Sequence, residues 1–454
     1  YGRKTYYIYD SNDRQLRMIR ETSPGIIPAN TNLTTLIRDP TVNPLWVIEE
    51  MAYDAEGQVT TRVDGRNIVT EYGYDTVGRM ARQTDAKGTA DEATTRFFYD
   101  VAGNQIRIEH PRHVTETTGV NANGFVSTRT YTARNLLETS TEAFGRLESA
   151  TTMHVYDLDR KQAVVTDTRG KSTQYRYGIC CARLKEVQDP LGFISAIGYD
   201  FGGRTTSTTD ANNLATLTTY DALGRPLTRT NAKGETSSYA YDDNLTDGIG
   251  LDAQYSSVIA SLGFGFDPLT GYGANGAAVE IKDPIGNKTL TITDGLGRTV
   301  RSVDALGHIT SMAYDQLVAD THLNSDATVT AITLVKTSAT DPLGHTSQQW
   351  SDGLGRVQVQ VDALGNKVRM GFDANGNQLR IRDANNVGQD CAYDFRNRPT
   401  TCTETALAPG TTGSTTGSTP RSTSTQYDVA GNVITRLDGR QIPETFTYDA
   451  RNRK

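Results

Sequence analysis

Tyrosine followed by aspartate recurs along this chain, at Tyr9, Tyr53, Tyr74, Tyr99, Tyr156, Tyr199, Tyr220, Tyr241, Tyr314, Tyr393, Tyr427 and Tyr448, with Phe372-Asp373 as a variant. From Tyr53 to Tyr74, Tyr199 to Tyr220, Tyr220 to Tyr241 and Tyr427 to Tyr448 the interval is 21 residues. A period of that length constrains the fold more than any other property. Each unit must be one supersecondary element that buries its surface only by stacking on its neighbours.

The unit Tyr220–Ala240 shows what that element is. Asp221-Ala222-Leu223-Gly224-Arg225 has the composition of a turn: Asp accepts hydrogen bonds from backbone N–H groups two residues on. Gly at the fourth position supplies the positive φ that closes a type I turn into a bulged hairpin. β-formers alternate on either side, Leu217 and Thr219 before, Leu227 and Arg229 after, so both flanks read as strands. Asn231-Ala232-Lys233-Gly234 repeats the turn chemistry without the tyrosine. Each unit is therefore two strands and two turns. The second-turn acid follows the first by ten residues at Asp64, Asp85, Asp167, Asp210, Asp304, Asp362, Asp383 and Asp438, which sets strand length near six. Asp294-Gly295-Leu296-Gly297-Arg298 and Asp352-Gly353-Leu354-Gly355-Arg356 lose the Tyr and keep the turn, so the turn is the firmer requirement. We assign as structural turn residues Tyr53, Asp54 and Gly57; Tyr74, Asp75 and Gly78; Tyr99, Asp100 and Gly103; Tyr199, Asp200 and Gly203; Tyr220, Asp221 and Gly224; and Tyr427, Asp428 and Gly431.

Tyr72 and Tyr74, Tyr175 and Tyr177, Tyr239 and Tyr241, and Phe446 and Tyr448 sit two apart, on one face of a strand. Stacked unit on unit they predict an aromatic ladder of structural rings, with a sugar-binding platform as the sharper alternative. No stretch has a 3.6-residue period, so the fold class expected is all-β, an array of antiparallel hairpins. A net charge of −7 with both signs interspersed gives no basic stripe for nucleic acid, and no apolar run is long enough for a transmembrane helix.

The 454 residues read as one array, 1–454, with loop insertions at about 21–50, 243–282, 316–340 and 404–425. The first carries Pro24, Pro28, Pro40, Pro44 and Trp46; the last is almost pure Thr, Ser, Gly and Pro and is expected to be a mobile surface loop. Tyr131-Thr132-Ala133-Arg134-Asn135 is a degenerate first turn. The chain begins at Tyr1-Gly2-Arg3-Lys4 and stops at Asp449-Ala450-Arg451-Asn452, inside repeats, the pattern expected of a segment of something longer that carries no targeting information of its own.

Chemistry-bearing patterns are few. Four cysteines make no disulfide framework. Cys391 and Cys402 flank one turn and could meet across a hairpin, although the simplest register puts them one residue out of line; Cys180 and Cys181 are adjacent. His110-Pro111-Arg112-His113 has no acidic or thiolate partner fixed nearby, and one Asp per turn supplies too few oxygens for calcium. No nucleophile–base pair, phosphate loop or dinucleotide fingerprint is present. The expectation is no catalytic residue, no cofactor and no metal.

Tyr-Asp-x-x-Gly-Arg at a period near 21, a dozen times in register, resembles the YD-repeat (RHS-repeat) family, which includes RHS polymorphic toxins, cocoon-forming subunits of Tc toxins, wall-associated proteins and teneurins. The resemblance covers nearly the whole chain outside the insertions. It implies a long β-sheet that spirals into a hollow barrel or shell. In toxin members the shell encloses a C-terminal effector, and in teneurins it serves adhesion. Asp189-Pro190-Leu191-Gly192, Asp283-Pro284-Ile285-Gly286 and Asp341-Pro342-Leu343-Gly344 invite comparison with the self-cleavage motif of the toxin core region. Each sits in a second-turn slot and lacks the tract that follows in that motif, so each reads as a turn. The function expected is a non-catalytic shell segment of a large secreted or delivered, extracellular or cell-surface protein. Its partner would be an encapsulated C-terminal segment of the same parent; the alternative is an adhesion or carbohydrate-binding surface with a cell-surface or glycan partner. A β-propeller, two units to a blade, is the architectural rival; blades should alternate inner and outer hairpins, whereas the units look equivalent.

Overall fold

The computed structural model describes residues 4–23, 25–111, 126–145, 149–178, 182–242, 277–323, 329–405, 421–448 and 453–454. Every element there is a β-strand, 33 in all, in one sheet. Consecutive strands pair antiparallel, as in Ile194–Tyr199, Thr205–Thr209, Ala215–Tyr220 and Pro226–Thr230. No pairing joins the first strand to the last among the described residues, so the sheet is an open meander and not a closed barrel. No helix among them is long and apolar enough to cross a membrane.

The two hairpins of a unit differ in register. Across the first turn Thr219 faces Thr228 while Tyr220 faces Pro226, leaving Leu227 as a bulge. The shift recurs at the tyrosine of other first-turn hairpins, for example between Ala52 and Tyr53, Gly73 and Tyr74, and Gln426 and Tyr427, while Tyr241, ahead of the long insertion, pairs regularly with Val279. It persists where Thr293 or Ser351 replaces the ring. Across the second turn the pairing is regular: Thr228 with Ser238, Arg229 with Ser237, Thr230 with Thr236. A bulge adds twist and leaves one residue unpaired. That extra residue corrects the simple register for the cysteines. With Thr400 bulged, Cys391 faces Cys402 and the two form a disulfide, Cα to Cα 4.1 Å.

The described chain divides into two compact units. Unit 2 comprises Thr152–Gln316 and Ser338–Thr346. Its buried cluster is Ala278, Leu290, Ile292 and Val303, with Val300 and Ile309 against it. From residue 151 to 241 no described residue is buried on either face of the sheet.

Unit 1 comprises Tyr1–Thr151, Leu317–Thr337 and Ser347–Lys454. It holds two buried clusters, Ile19, Ile27 and Ile48, and Ile332, Leu334, Trp350, Val359 and Val361. Between the strands that flank it, the segment expected as a loop insertion at 21–50 carries no helix or strand among its described residues, and part of it packs on the core. Strands Gln15–Glu21 and Trp46–Tyr53 flank it, and Ile26, Leu33 and Leu36 pack on the first cluster. The buried Glu21 carboxylate accepts the N–H of Gly25 and of Ile27, a local solution that holds the segment against the sheet. The insertion expected at 316–340 is, among its described residues, the outer part of two long strands, Ile309–Leu323 and Val329–Thr340, the second rich in β-branched residues. The insertions at 243–282 and 404–425 fall mostly outside the described residues; of them Ala277–Lys282 is a strand and residues 404–405 and 421–425 flank or join strands.

Within unit 1 the sheet meets itself. Gly353 N–H donates to Thr22 O at 2.5 Å, Asn43 N–H to Phe372 O at 2.5 Å, and Asn43 Oδ1 accepts Phe372 N–H at 2.7 Å. Asn375 Nδ2 donates to Asp64 Oδ2, Arg66 Nη1 to Asp394 O, and Phe395 N–H to Asp91 Oδ2. Second-turn edges of early repeats thus lie on first-turn edges of late ones. Gly353 is glycine for this reason: a Cβ there would stand 2.5 Å from Glu21 O.

Candidate functional site: the first-turn edge

At Asp221 the turn is closed three ways. Asp221 N–H donates to Arg225 O, Gly224 N–H donates to Asp221 O, and Asp221 Oδ1 accepts Arg225 N–H at 2.8 Å. Gly224 has φ 86°, where a Cβ would be strained. The backbone closure is the same at Asp54, Asp75, Asp100, Asp200 and Asp428, with left-handed Gly57, Gly78, Gly103, Gly203 and Gly431. The degenerate turn uses the Thr132 hydroxyl in place of carboxylate and Asn135 in place of glycine. Asp85 departs from the expected pattern. It ends strand Met80–Asp85, pairs with Ala93, and a longer turn follows in which Gly88 N–H donates to Glu92.

The residue after the turn glycine carries the connection between repeats. Arg204 Nε donates to its own Asp200 Oδ2 at 2.6 Å, its Nη1 donates to Asp221 O of the next turn at 3.0 Å, and its guanidinium lies 5.0 Å from the centroid of Tyr220. Arg79 makes the same set with Asp75, Asp100 and Tyr99, and Arg14 with Asp10, Asp54 and Tyr53. Arg225 over Tyr241, Arg298 over Tyr314 and Arg398 over Tyr427 continue the series. Where arginine is absent an amide still reaches the next turn, as with Gln58 to Gly78 O and Asn104 to Asn135 Oδ1.

The tyrosine hydroxyl closes the circuit. Tyr220 donates to Thr205 O at 2.7 Å, and Thr205 is the residue facing Tyr199 across the previous bulge. Tyr74 to Val59 O, Tyr99 to Met80 O, Tyr199 to Leu184 O and Tyr241 to Pro226 O follow the same rule. The reason lies in the register. Pairing between Thr205–Thr209 and Ala215–Tyr220 begins only at Ser207 with Leu217, so the Thr205 carbonyl lies beyond the ladder and takes the phenol as donor. The rings therefore stack with guanidinium groups and not with each other. The ring-to-ring contact among the described residues is Tyr7 with Tyr9, inside one strand. A cation over the ring and a bonded hydroxyl leave little of these tyrosines to act as a sugar platform.

Electrostatics follow from this geometry. The backbone N–H of Arg14, Arg79 and Arg204, with their side chains, holds the carboxyls of Asp10, Asp75 and Asp200 below the ordinary carboxylate value. Burial pushes the phenols of Tyr74, Tyr241 and Tyr314 up. Neither shift produces a group poised for proton transfer near neutral pH.

The remaining candidates resolve structurally. His110 Nε2 lies 3.0 Å from Ser127 Oγ, and burial holds its imidazole below the usual value; His113 lies outside the described residues. No group of three metal-ligating side chains occurs among the described residues. Asp189, Asp283 and Asp341 close second turns with left-handed Gly192, Gly286 and Gly344. Cys180 and Cys181 lie outside the described residues. Sequence reasoning missed the arginine and the phenol as linkers between repeats. The signal available was a side chain with N–H donors after so many turn glycines.

The family model for the RHS repeat matches residues 53–90 and 199–236. Those two stretches carry the RHS repeat. Among curated proteins none matches it. Solved structures similar to it include TcdB2-TccC3-TEV, at 14% identity and TM-score 0.40 over 98% of this chain and 21% of that one. TcdB2-TccC3 without its hypervariable C-terminal region aligns at 14% identity and TM-score 0.39 over 99% and 23%. A Photorhabdus luminescens Tc holotoxin pore aligns at 15% identity and TM-score 0.35 over 97% and 23%. The chain spans about a fifth of the length of these chains.

Proposed function

We propose that this RHS-repeat chain is a structural wall segment with no catalysis of its own, part of a larger secreted or delivered protein whose wall encloses a C-terminal polypeptide of the same parent. The observation that carries the reading is the linkage from repeat to repeat. The recurring Asp, Arg and Tyr, the residues most able to do chemistry, are spent on turn closure and on the next repeat. The sheet of unit 2 supports the wall reading: described residues from 151 to 241 pack no core on either side, so that stretch is not half of a sandwich. The Cys391–Cys402 disulfide supports maturation outside a reducing cytosol. Limited proteolysis of the full-length parent tests the enclosure. A C-terminal fragment should resist protease while the wall is intact and be digested once it is denatured. A fragment cut as readily as a free polypeptide sinks the idea.

A further inference from the structure

One first turn of unit 2 has lost its carboxylate and kept its arginine. It reads Tyr177-Gly178-Ile179-Cys180-Cys181-Ala182-Arg183, with glycine in the aspartate position and one residue more before the arginine. The backbone closure survives: Gly178 N–H donates to Arg183 O, as Asp221 N–H does to Arg225 O. At Arg79, Arg204, Arg225 and Arg398 the backbone N–H donates to one oxygen of the turn aspartate and Nε to the other. Arg183 keeps the pose of these arginines. Its guanidinium lies 5.7 Å from the Tyr199 centroid and against Gly203 of the next turn. Among the described residues, neither its N–H nor its guanidinium has a hydrogen-bond or ion-pair acceptor.

That arginine borders a pocket of about 400 Å³, lined by Gly178, Arg183, Lys185, Ile197, Tyr199 and Phe201 among others. The size is that of a small-molecule site. Lys185 is a second cation with no carboxylate on it among the described residues. The nearby acids are engaged elsewhere, Asp200 with Arg204 at 2.6 Å and Glu186 with Arg176 at 3.2 Å. Phe201 is fully exposed and, with Ile197, gives the pocket an apolar wall. We propose that this pocket binds a carboxylate carrying an apolar group. The carboxylate takes the place of the missing turn aspartate on Arg183, with Lys185 beside it, and the apolar group lies on Phe201 and Ile197. Carboxylate is preferred to phosphate because the arginine in this position holds a carboxylate in the other turns, and because the wall is apolar. A free acid and the C-terminal end of a peptide share this chemistry. The inference goes beyond the wall reading and stands whether or not a polypeptide is enclosed.

Isothermal titration calorimetry of the 454-residue chain with phenylacetate is the test. Phenylacetamide, which lacks the charge, and inorganic phosphate, which lacks the ring, should each bind roughly tenfold more weakly or worse. A short peptide ending in phenylalanine separates the sources: tighter binding than phenylacetate assigns the site to a chain end, weaker binding to a free acid. Arg183→Gln should weaken phenylacetate by roughly tenfold, the worth of one charge-assisted hydrogen bond. A second variant leaves the arginine in place. Gly178→Asp supplies the turn's own carboxylate, so it should block phenylacetate and raise the melting temperature. No saturable binding, phenylacetamide or phosphate binding as tightly as phenylacetate, or a folded Arg183→Gln variant that binds like the parent overturns the proposal.

Discussion

A single arginine in this chain performs three tasks: it neutralises its own turn aspartate, donates to the next turn's carbonyl and stacks on the next tyrosine. Replacing Arg204 by Ala removes a partly exposed charge-assisted bond, a neutral-acceptor bond and a cation–π contact, together about 1–2 kcal/mol. Urea titration of the variant should show that loss. Lysine should not restore it, because a point charge cannot fork between two acceptors. Tyr220→Phe should cost about 1 kcal/mol, the phenol's bond to the Thr205 carbonyl. The aspartates set a pH limit. A carboxyl whose value is lower folded than unfolded contributes stability in full above the unfolded value, about pH 4, and loses it as pH falls through the folded one. With Asp10, Asp75 and Asp200 all lowered, the melting temperature should hold between pH 5 and 7 and fall below about pH 4. A melting temperature that rises on acidification would contradict this assignment.

At the scale of the element, the hairpin turn was legible because Asp and Gly have few other reasons to recur three residues apart, and 21-residue spacing repeats the test many times. The bulge was not legible. It inserts one residue without changing the turn signature, and its side chain can be Leu227, Thr400 or Gln358. Its consequence shows most plainly at the cysteines, where one residue of shift separates a pair out of line from a bonded one. Reducing Cys391–Cys402, which closes a span of 11 residues, should lower stability by about 3 kcal/mol in the chain-entropy account. Denaturant melts with and without a thiol reductant measure it, and a Cys391→Ala/Cys402→Ala variant should match the reduced chain.

For the whole molecule, the self-contact in unit 1 is the feature with the largest structural consequence. Gly353→Val should force the Glu21 and Thr22 backbone away, costing about 1–3 kcal/mol. Hydrogen exchange should then quicken at Gly353, Asn43 and Phe372 while the turn amides around Gly224 keep their protection. Uniform quickening would mean that the contact is not a separable feature. By itself the sequence determined the repeat, its two turns, the all-β class and the absence of a helical period, since these depend on interactions within about ten residues and recur often enough to average out exceptions. It also showed Tyr72 and Tyr74, or Tyr175 and Tyr177, on common faces. Only the tertiary structure decided what they meet: the Tyr74 and Tyr177 hydroxyls donate to the Val59 and Gln162 carbonyls, and the Lys161 ammonium lies over the Tyr177 ring. The structure alone likewise packed Ile26, Ile27, Leu33 and Leu36 on the cluster around Ile19 and set Thr22 against Gly353. Contacts of that kind join residues as distant in the chain as Asn43 and Phe372, where no local propensity carries information and only the geometry accumulated over many bulged hairpins brings the two edges together.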